Sequence, residues 1–154
     1  MEKTNVMRIL SQNKLDFTPH EYDGTIVDGE SVAKSLGENP DQVFKTLVTI
    51  ANTGENFVFV LPVNSSLNLK KAANSVGVKK IEMIKQKELL PLTGYIHGGC
   101  SPIGMKKPFK TIIEETASIY NTIIFSAGKR GYQVEMSPEL LKNFINAEYA
   151  DIAE

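Results

Sequence analysis

The sequence predicts an α/β fold of the α+β type, in which one compact domain spans residues 1–154 and helices flank a mixed, mostly antiparallel, barrel-like sheet. Strand-like runs outnumber helical segments, and most neighbouring elements are joined by short turns. No internal repeat or low-complexity segment divides the chain. A chain of 154 residues is long enough to bury a core, removing about 70% of the surface of the unfolded chain from water.

The first half of the chain is predicted to open with a helix and continue as strands. Thr4 is a possible N-cap for the helically spaced apolar residues that follow it, which favours a helix over 4–14. A second helix over 29–36 would end at Gly37, a residue typical of the position after a helix. The strands predicted here are 17–22, 45–50 and 57–63, the last two joined as a hairpin by the loop 52–56.

The second half alternates between short helical and strand segments. A helix over 68–76 would end at Gly77, and Ser137-Pro138 would begin a final helix that runs to Ile145. A helical turn is expected at 87–92, broken by Pro91, and a helical or loop stretch at 115–119. The remaining predicted strands are 79–84, 94–96, 110–113, 122–125 and 132–136.

Composition limits the classes of protein that this chain can belong to. The longest apolar run, 57–61, is too short to cross a bilayer, and no hydrophobic stretch of a signal peptide follows the N-terminus. The only cysteine, Cys100, rules out an internal disulfide. We therefore expect a cytoplasmic protein without a membrane partner.

Charge is distributed unevenly along a chain whose formal net charge is −1. Residues 67–110 contain nine lysines and two glutamates, a net charge of +7, whereas residues 139–154 contain four acids and one lysine, a net charge of −3. The basic segment is either a solvated lysine-rich face or a track for a phosphate backbone.

Two glycine-rich loops are candidates for ligand binding. The first glycine loop, residues 97–107, reads HGGCSPIGMKK, and the second glycine loop, residues 126–131, reads SAGKRG. Successive backbone amides in such turns can bind an anion or a developing oxyanion, and nearby lysines add positive charge. Each loop could equally be a tight turn that only connects neighbouring elements.

The residues that could perform chemistry are few. His20, His97 and Cys100 do not have the spacing of a zinc site, so no metal is expected. Cys100 is either a nucleophile with His97 as its base or an inert buried thiol. Lys45 opens a predicted strand beside apolar residues, and Thr46 would point to the opposite face. The Lys45 ammonium could bind a phosphate or an oxyanion, or Lys45 could be only a solvated lysine at a strand end.

Four motifs, in this order and spacing, resemble the YbaK/EbsC family. They are FKTLV at 44–48, LNLKKAANSVGVKKIEM at 67–83, TGYIHGGCSPIGMKK at 93–107 and FSAGKRG at 125–131. The resemblance extends over essentially the whole chain and implies the fold shared by that family and the editing domain of prolyl-tRNA synthetase. It also implies a trans-editing deacylase for Cys-tRNA(Pro) or Cys-tRNA(Cys), with aminoacyl-tRNA and prolyl-tRNA synthetase as partners and no cofactor.

The resemblance also implies site residues and a mechanism, in which the thiol of the substrate attacks its own ester carbonyl. Lys45 would hold the 3′-terminal nucleotide, while the loop at Gly98 and Gly99 would stabilise the oxyanion. The residues expected to bind substrate are Tyr22, Thr46, Cys100, Ser101, Ser126, Gly128 and Lys129.

Departures from the family pattern leave the edited amino acid open. His97 and Cys100 stand where apolar residues are expected, Met105 replaces a glutamine, and the aromatic pocket residue expected near Val27 is absent. The alternatives are a deacylase that uses water to clear alanine or serine, and a non-catalytic module that binds tRNA or a nucleotide.

Overall fold

The structure is a computed structural model that describes residues 1–154 and contains five α-helices and eight strands. The helices are α1 (Asn5–Gln12), α2 (Gly29–Leu36), α3 (Leu69–Val76), α4 (Leu89–Thr93) and α5 (Pro138–Phe144). The strands are β1 (Thr18–Glu21), β2 (Phe44–Ala51), β3 (Asn56–Pro62), β4 (Ile81–Met83), β5 (Lys110–Glu114), β6 (Ile123–Ser126), β7 (Tyr132–Met136) and β8 (Glu148–Ala150). Short 3₁₀ turns lie at Gln86–Glu88 and Glu115–Ile119. None of the helices combines the length and apolar character needed to cross a membrane.

The helix ends follow the capping signals in the sequence. The hydroxyl of Thr4 accepts a hydrogen bond from the Met7 amide at 3.3 Å, which satisfies one of the free donors at the start of α1. Gly37 follows α2 with φ of 67°, and Gly77 follows α3 with φ of 73°. Positive φ values are unfavourable for residues with a side chain, so glycine ends both helices where predicted.

The strands form two sheets rather than a closed barrel. The order is β1-β7-β6 in the smaller sheet and β4-β2-β3-β5-β8 in the larger one. Only the pairs β3–β5 and β5–β8 are parallel, so the predicted mixed and mostly antiparallel pairing is confirmed. The sheets meet at a single parallel bridge between Val43 and Ile124, where the Ile124 amide donates to the carbonyl of Gln42 at 3.0 Å. The structure therefore corrects the prediction of a single barrel-like sheet, because the strands form two separate sheets.

Local predictions differ from the structure at three places. Strand β8 was not predicted, because its three residues lack an alternating pattern. Residues 94–96 form no strand, since Gly94 ends α4 with φ of 84°. Pro91 lies inside the first turn of α4, where a missing amide hydrogen is tolerated because it would have no helical partner.

Strand β3 is buried on both faces and separates two apolar cores. Val58 and Val60 face the larger core, which lies between the two sheets and includes Phe125. Phe59 and Leu61 face the smaller core, which α3 covers. This double burial requires a continuous apolar strand, as the sequence FVFVL provides.

The segment after β8 is attached to the segment after β3. The Ile152 and Ala153 amides donate to Glu114 Oε1 at 3.1 and 3.3 Å, and the Glu154 amide donates to the Ser66 carbonyl at 3.0 Å. An antiparallel bridge joins Leu67 to Ala153. These contacts hold residues 65–67 against the C-terminal segment, and the Ser65 carbonyl accepts a hydrogen bond from Lys45 at the start of β2.

Candidate functional site

A cavity of about 420 Å³ lies where the N-terminus of α2, the start of β2, the first glycine loop and β7 meet. The cavity brings together residues that are distant in the chain and that the sequence predicted to be functional. Six predicted site residues line it: Tyr22, Lys45, Thr46, Gly98, Cys100 and Ser126. The other four, Gly99, Ser101, Gly128 and Lys129, are not among its lining residues.

Lys45 is held at the cavity by backbone oxygen atoms. Its Nζ donates to the carbonyls of Ser65 and Val63, the latter at 3.4 Å. Burial lowers the pKa of Lys45, and the nearby carboxylates of Glu30 and Asp28 oppose that shift. An ammonium group has three donors, so one remains for a ligand after these two bonds. Lys45 is therefore an oriented cation on the wall of the cavity.

The first glycine loop brings bare backbone to the cavity. Gly98 has φ of 84°, and a Cβ atom placed on it would lie 2.6 Å from Val27 Cγ1, so neither its conformation nor its surroundings accept a side chain. The Gly99 amide donates to the Ile96 carbonyl at 2.9 Å, whereas the amides of Gly98, Cys100 and Ser101 have no hydrogen-bond partner in the chain. The potential oxyanion donors are therefore the amides on either side of Gly99.

The residues that follow Gly99 differ in what their side chains do. Ser101 is fully buried, and its Oγ accepts a hydrogen bond from the Ile103 amide at 3.3 Å, so its hydroxyl supports the loop. Burial raises the pKa of the Cys100 thiol to about 12, which keeps it protonated at neutral pH. His97 uses its backbone carbonyl to accept from Arg130, and its ring makes no hydrogen bond to Cys100. The structure thus contains no activated Cys100–His97 pair.

Residues of the second glycine loop line two different cavities. Ser126 lines the large cavity, and its Oγ accepts from the Gly128 amide at 3.1 Å. Gly128 and Lys129 line a separate cleft of about 200 Å³ beside the start of α1. There Lys129 Nζ forms an ion pair with Glu2 at 2.8 Å. Lys129 therefore lies apart from Lys45 and its cavity.

Two residues near the cavity were missed or underrated by sequence reasoning. Arg130 Nε donates to the His97 carbonyl at 2.9 Å and so ties the two glycine loops together. Gln133 is only 4% exposed and lines the cavity, and its side chain interacts with the carboxyl group of Glu38. The Oγ1 of Thr46, which also lines the cavity, is buried and has no hydrogen-bond partner. Buried polar atoms without partners are rare in folded proteins, so the Thr46 hydroxyl favours a polar ligand in the cavity.

Metal binding has no basis in the side-chain arrangement. No group of three or more histidine, cysteine, aspartate or glutamate side chains comes close enough together to hold a metal ion.

Comparison with known proteins places this cavity within one family. The sequence profile of the aminoacyl-tRNA editing domain matches residues 24–144, a range that contains all the cavity residues named above except Tyr22. The chain belongs to the aminoacyl-tRNA editing domain family. It is 47% identical over 153 residues to EbsC of Enterococcus faecalis, which is named provisionally as a Cys-tRNA(Pro)/Cys-tRNA(Cys) deacylase. That match covers 98% of this chain and 93% of the relative.

Other editing-domain relatives include much longer proteins. A proline--tRNA ligase of Shouchella clausii is 31% identical over 77 residues, which are 50% of this chain but only 13% of the ligase. A solved structure described provisionally as a trans-editing enzyme for prolyl tRNA synthetase matches with a TM-score of 0.82 at 22% identity. The match covers 97% of this chain and 96% of that one, and it confirms the predicted fold.

Proposed function

We propose that this editing domain is a trans-acting deacylase that clears mischarged Cys-tRNA(Pro), and also Cys-tRNA(Cys). One observation carries the proposal: a single cavity combines the ammonium of Lys45 with unpaired backbone amides of the first glycine loop. The 47% identity to EbsC, which extends over nearly the full length of both proteins, supports the choice of substrate.

Deacylation requires stabilisation of the negative charge that develops on the carbonyl oxygen of the ester. In this proposal the amides of Gly98 and Cys100 are the potential donors to that oxyanion, because both residues line the cavity and neither amide is used within the fold. Lys45 binds the 3′-terminal nucleotide with its remaining donor, and Tyr22, Thr46 and Ser126 contact the rest of the aminoacyl-adenosine end.

The nucleophile in this proposal is the thiol of the substrate. Its sulfur attacks the carbonyl carbon of the same residue, the bond from that carbon to the ribose oxygen breaks, and the thiol proton ends on the departing ribose oxygen. The products are a cyclic thioester and free tRNA. Intramolecular attack lowers the barrier by about 7 kcal/mol or more when the groups are well oriented. The protonated Cys100 thiol is consistent with a protein that supplies no nucleophile of its own.

The partners proposed are aminoacyl-tRNA and prolyl-tRNA synthetase. With a net charge of −1, the chain lacks a strong general attraction for nucleic acid, although its lysines between 67 and 110 offer local phosphate contacts. Phosphate contacts position a nucleic acid without reading its sequence, so a synthetase partner would supply tRNA identity.

The decisive experiment measures release of labelled amino acid from Cys-tRNA(Pro), Ala-tRNA(Pro) and Ser-tRNA(Pro). It compares the wild type with Lys45→Ala and with Lys34→Ala, a control because Lys34 is an exposed lysine of α2 outside both the cavity and the lysine-rich segment. We expect rapid loss of cysteine alone, at least about 100-fold slower in Lys45→Ala and unchanged in Lys34→Ala.

Each other outcome identifies a different function. Loss of alanine or serine at a similar rate excludes an obligatory substrate thiol and indicates attack by water. No loss from any of the three contradicts the deacylase proposal and leaves a tRNA-binding or nucleotide-binding module. A Cys100→Ser variant should retain full activity, and its inactivity would return Cys100 to consideration as the nucleophile.

A further inference from the structure

We propose that Asp28 binds the α-ammonium group of the aminoacyl ester and thereby selects substrates with a free amino group. The inference rests on the proposed function and adds to it the recognition of one substrate group. It assigns a binding role to a residue that the motifs did not nominate.

Asp28 lies between the two parts of the proposed deacylation site. On one side, Val27 packs so closely on the first glycine loop that a Cβ on Gly98 would lie 2.6 Å from its Cγ1. On the other side, a Cβ on Gly29 would lie 2.6 Å from Cγ1 of Val63, the residue whose carbonyl accepts from Lys45. The segment 27–29 therefore connects the unpaired loop amides to the Lys45 ammonium.

The charge of Asp28 is available to a ligand. Among the 17 residues that line the cavity, Asp28 is the only one with a carboxylate. Its Oδ2 caps α2 by accepting from the amide and hydroxyl of Ser31 at 3.1 and 2.7 Å, and the Glu30 amide also helps to lower the pKa of the carboxyl. Oδ1 accepts no hydrogen bond within 3.5 Å. Asp28 forms no ion pair within 4 Å of Lys45, because the lysine is directed to backbone carbonyls.

Independent evidence that a polar ligand enters this cavity comes from its buried wall. Thr46, which lines the cavity, leaves its hydroxyl Oγ1 buried and without a hydrogen-bond partner. An unpaired buried polar atom loses free energy unless a ligand supplies a partner. The cavity therefore has an unpaired hydroxyl and a carboxylate on its walls in addition to the Lys45 cation.

An aminoacyl ester matches this arrangement of charges. Its ammonium is attached to the carbon next to the ester carbonyl, so the group that binds the ammonium must lie beside the oxyanion donors. Asp28 lines the same cavity as Gly98, and its neighbour Val27 packs against that glycine. Lys45 binds the negative phosphate, and the loop amides bind the developing oxyanion. Peptidyl-tRNA and N-blocked aminoacyl-tRNA, which carry no ammonium, would be rejected.

The test compares two substrates that differ only in the amino group, Cys-tRNA(Pro) and 3-mercaptopropionyl-tRNA(Pro). Both retain the thiol, and the second adds no bulk. The variants are Asp28→Asn, which preserves the helix cap, and Asp23→Asn, a matched control whose carboxylate also accepts from a nearby amide and hydroxyl but lies outside the cavity. Assays at about pH 5.5 keep the amino group protonated, because the ester carbonyl lowers the α-amino pKa below its usual value of about 8.

We expect wild type and Asp23→Asn to prefer the cysteinyl substrate by about 30-fold in kcat/KM. Asp28→Asn should lose most of that preference, because its kcat/KM falls for the cysteinyl substrate and stays unchanged for the mercaptopropionyl substrate. An unchanged preference in Asp28→Asn, or equal loss with both substrates, would overturn the inference. If wild type hydrolyses neither substrate, the proposed function fails instead. Asp28→Ser, which also caps a helix, should behave like Asp28→Asn, so that a folding defect in one variant does not decide the result.

Discussion

The first glycine loop leaves the amides of Gly98, Cys100 and Ser101 without partners, whereas the second directs its Gly128 amide to the hydroxyl of Ser126 at 3.1 Å. The lysine of the second loop, Lys129, is also used within the fold, because its ammonium is paired with Glu2. A Cβ on Gly99 would lie 3.3 Å from the Arg130 amide nitrogen, so the second loop packs directly against the first. Glycine and lysine content alone therefore does not distinguish a loop with unpaired amides from a loop whose polar groups are used within the fold.

The largest effect that would test this contrast is expected from Gly98→Ala. The added methyl group clashes with Val27 and displaces the neighbouring amides, so we expect kcat to fall by about 100-fold or more. The control is Gly77→Ala, which has a similar positive φ but no atom within 4 Å of the added Cβ. Deacylation kinetics of both variants check the prediction, and comparable activity in the two would contradict a role for the Gly98 loop in catalysis.

A second, intermediate effect is expected on stability from Gly128→Ala. A Cβ there would lie 2.9 Å from Tyr95 Cε1 and 3.0 Å from Val6 Cγ2, in a backbone with φ of 89°. We expect a loss of about 2–3 kcal/mol in the free energy of unfolding, from backbone strain and overpacking together. Gly37→Ala, strained but with open space around the Cβ, should lose only about 1 kcal/mol. Urea denaturation of both variants measures the difference, and equal losses would show that packing under the second loop matters little.

The smallest effect is expected from Lys129→Ala. Its ammonium is exposed and paired with Glu2 outside the large cavity, and ion pairs of this kind contribute little. We expect kcat/KM for Cys-tRNA(Pro) to stay within about twofold of wild type, since exposed pairs are weak. A fall as large as that of Lys45→Ala would mean that the two loops share one ligand and that the contrast between them is wrong.

Local signals in the sequence were sufficient for the helices and most strands. Thr4, Gly37 and Gly77 mark helix ends because each satisfies a requirement of the backbone at that position, and such requirements involve only neighbouring residues. Pairing between strands depends on distant parts of the chain, so the two-sheet arrangement and the parallel addition of β8 could not be derived from spacing.

The candidate site was predictable as a set of residue types but not as a geometry. The motifs nominated Lys45 and Gly98, and the structure places both on one cavity. The carbonyls that orient Lys45 belong to a loop with no distinctive sequence, and the exposed partner of Lys129 lies at the other end of the chain. Gln133 was missed because the alternation in YQVEM places it with Glu135 on the polar face of β7, and only the structure shows that Gln133 is buried.

The attachment of the segment after β8 to residues 65–67 has a consequence for folding kinetics. Leu67 and Ala153, the bridged pair of this attachment, lie near the middle and at the end of the chain. Closing so long a loop is slow compared with forming the β2–β3 hairpin. The hairpin alone positions the Val63 carbonyl, because the Val63 amide donates to the Val43 carbonyl at 2.8 Å. We therefore expect the Ser65 carbonyl, which lies beyond the hairpin, to complete the orientation of Lys45 late in folding.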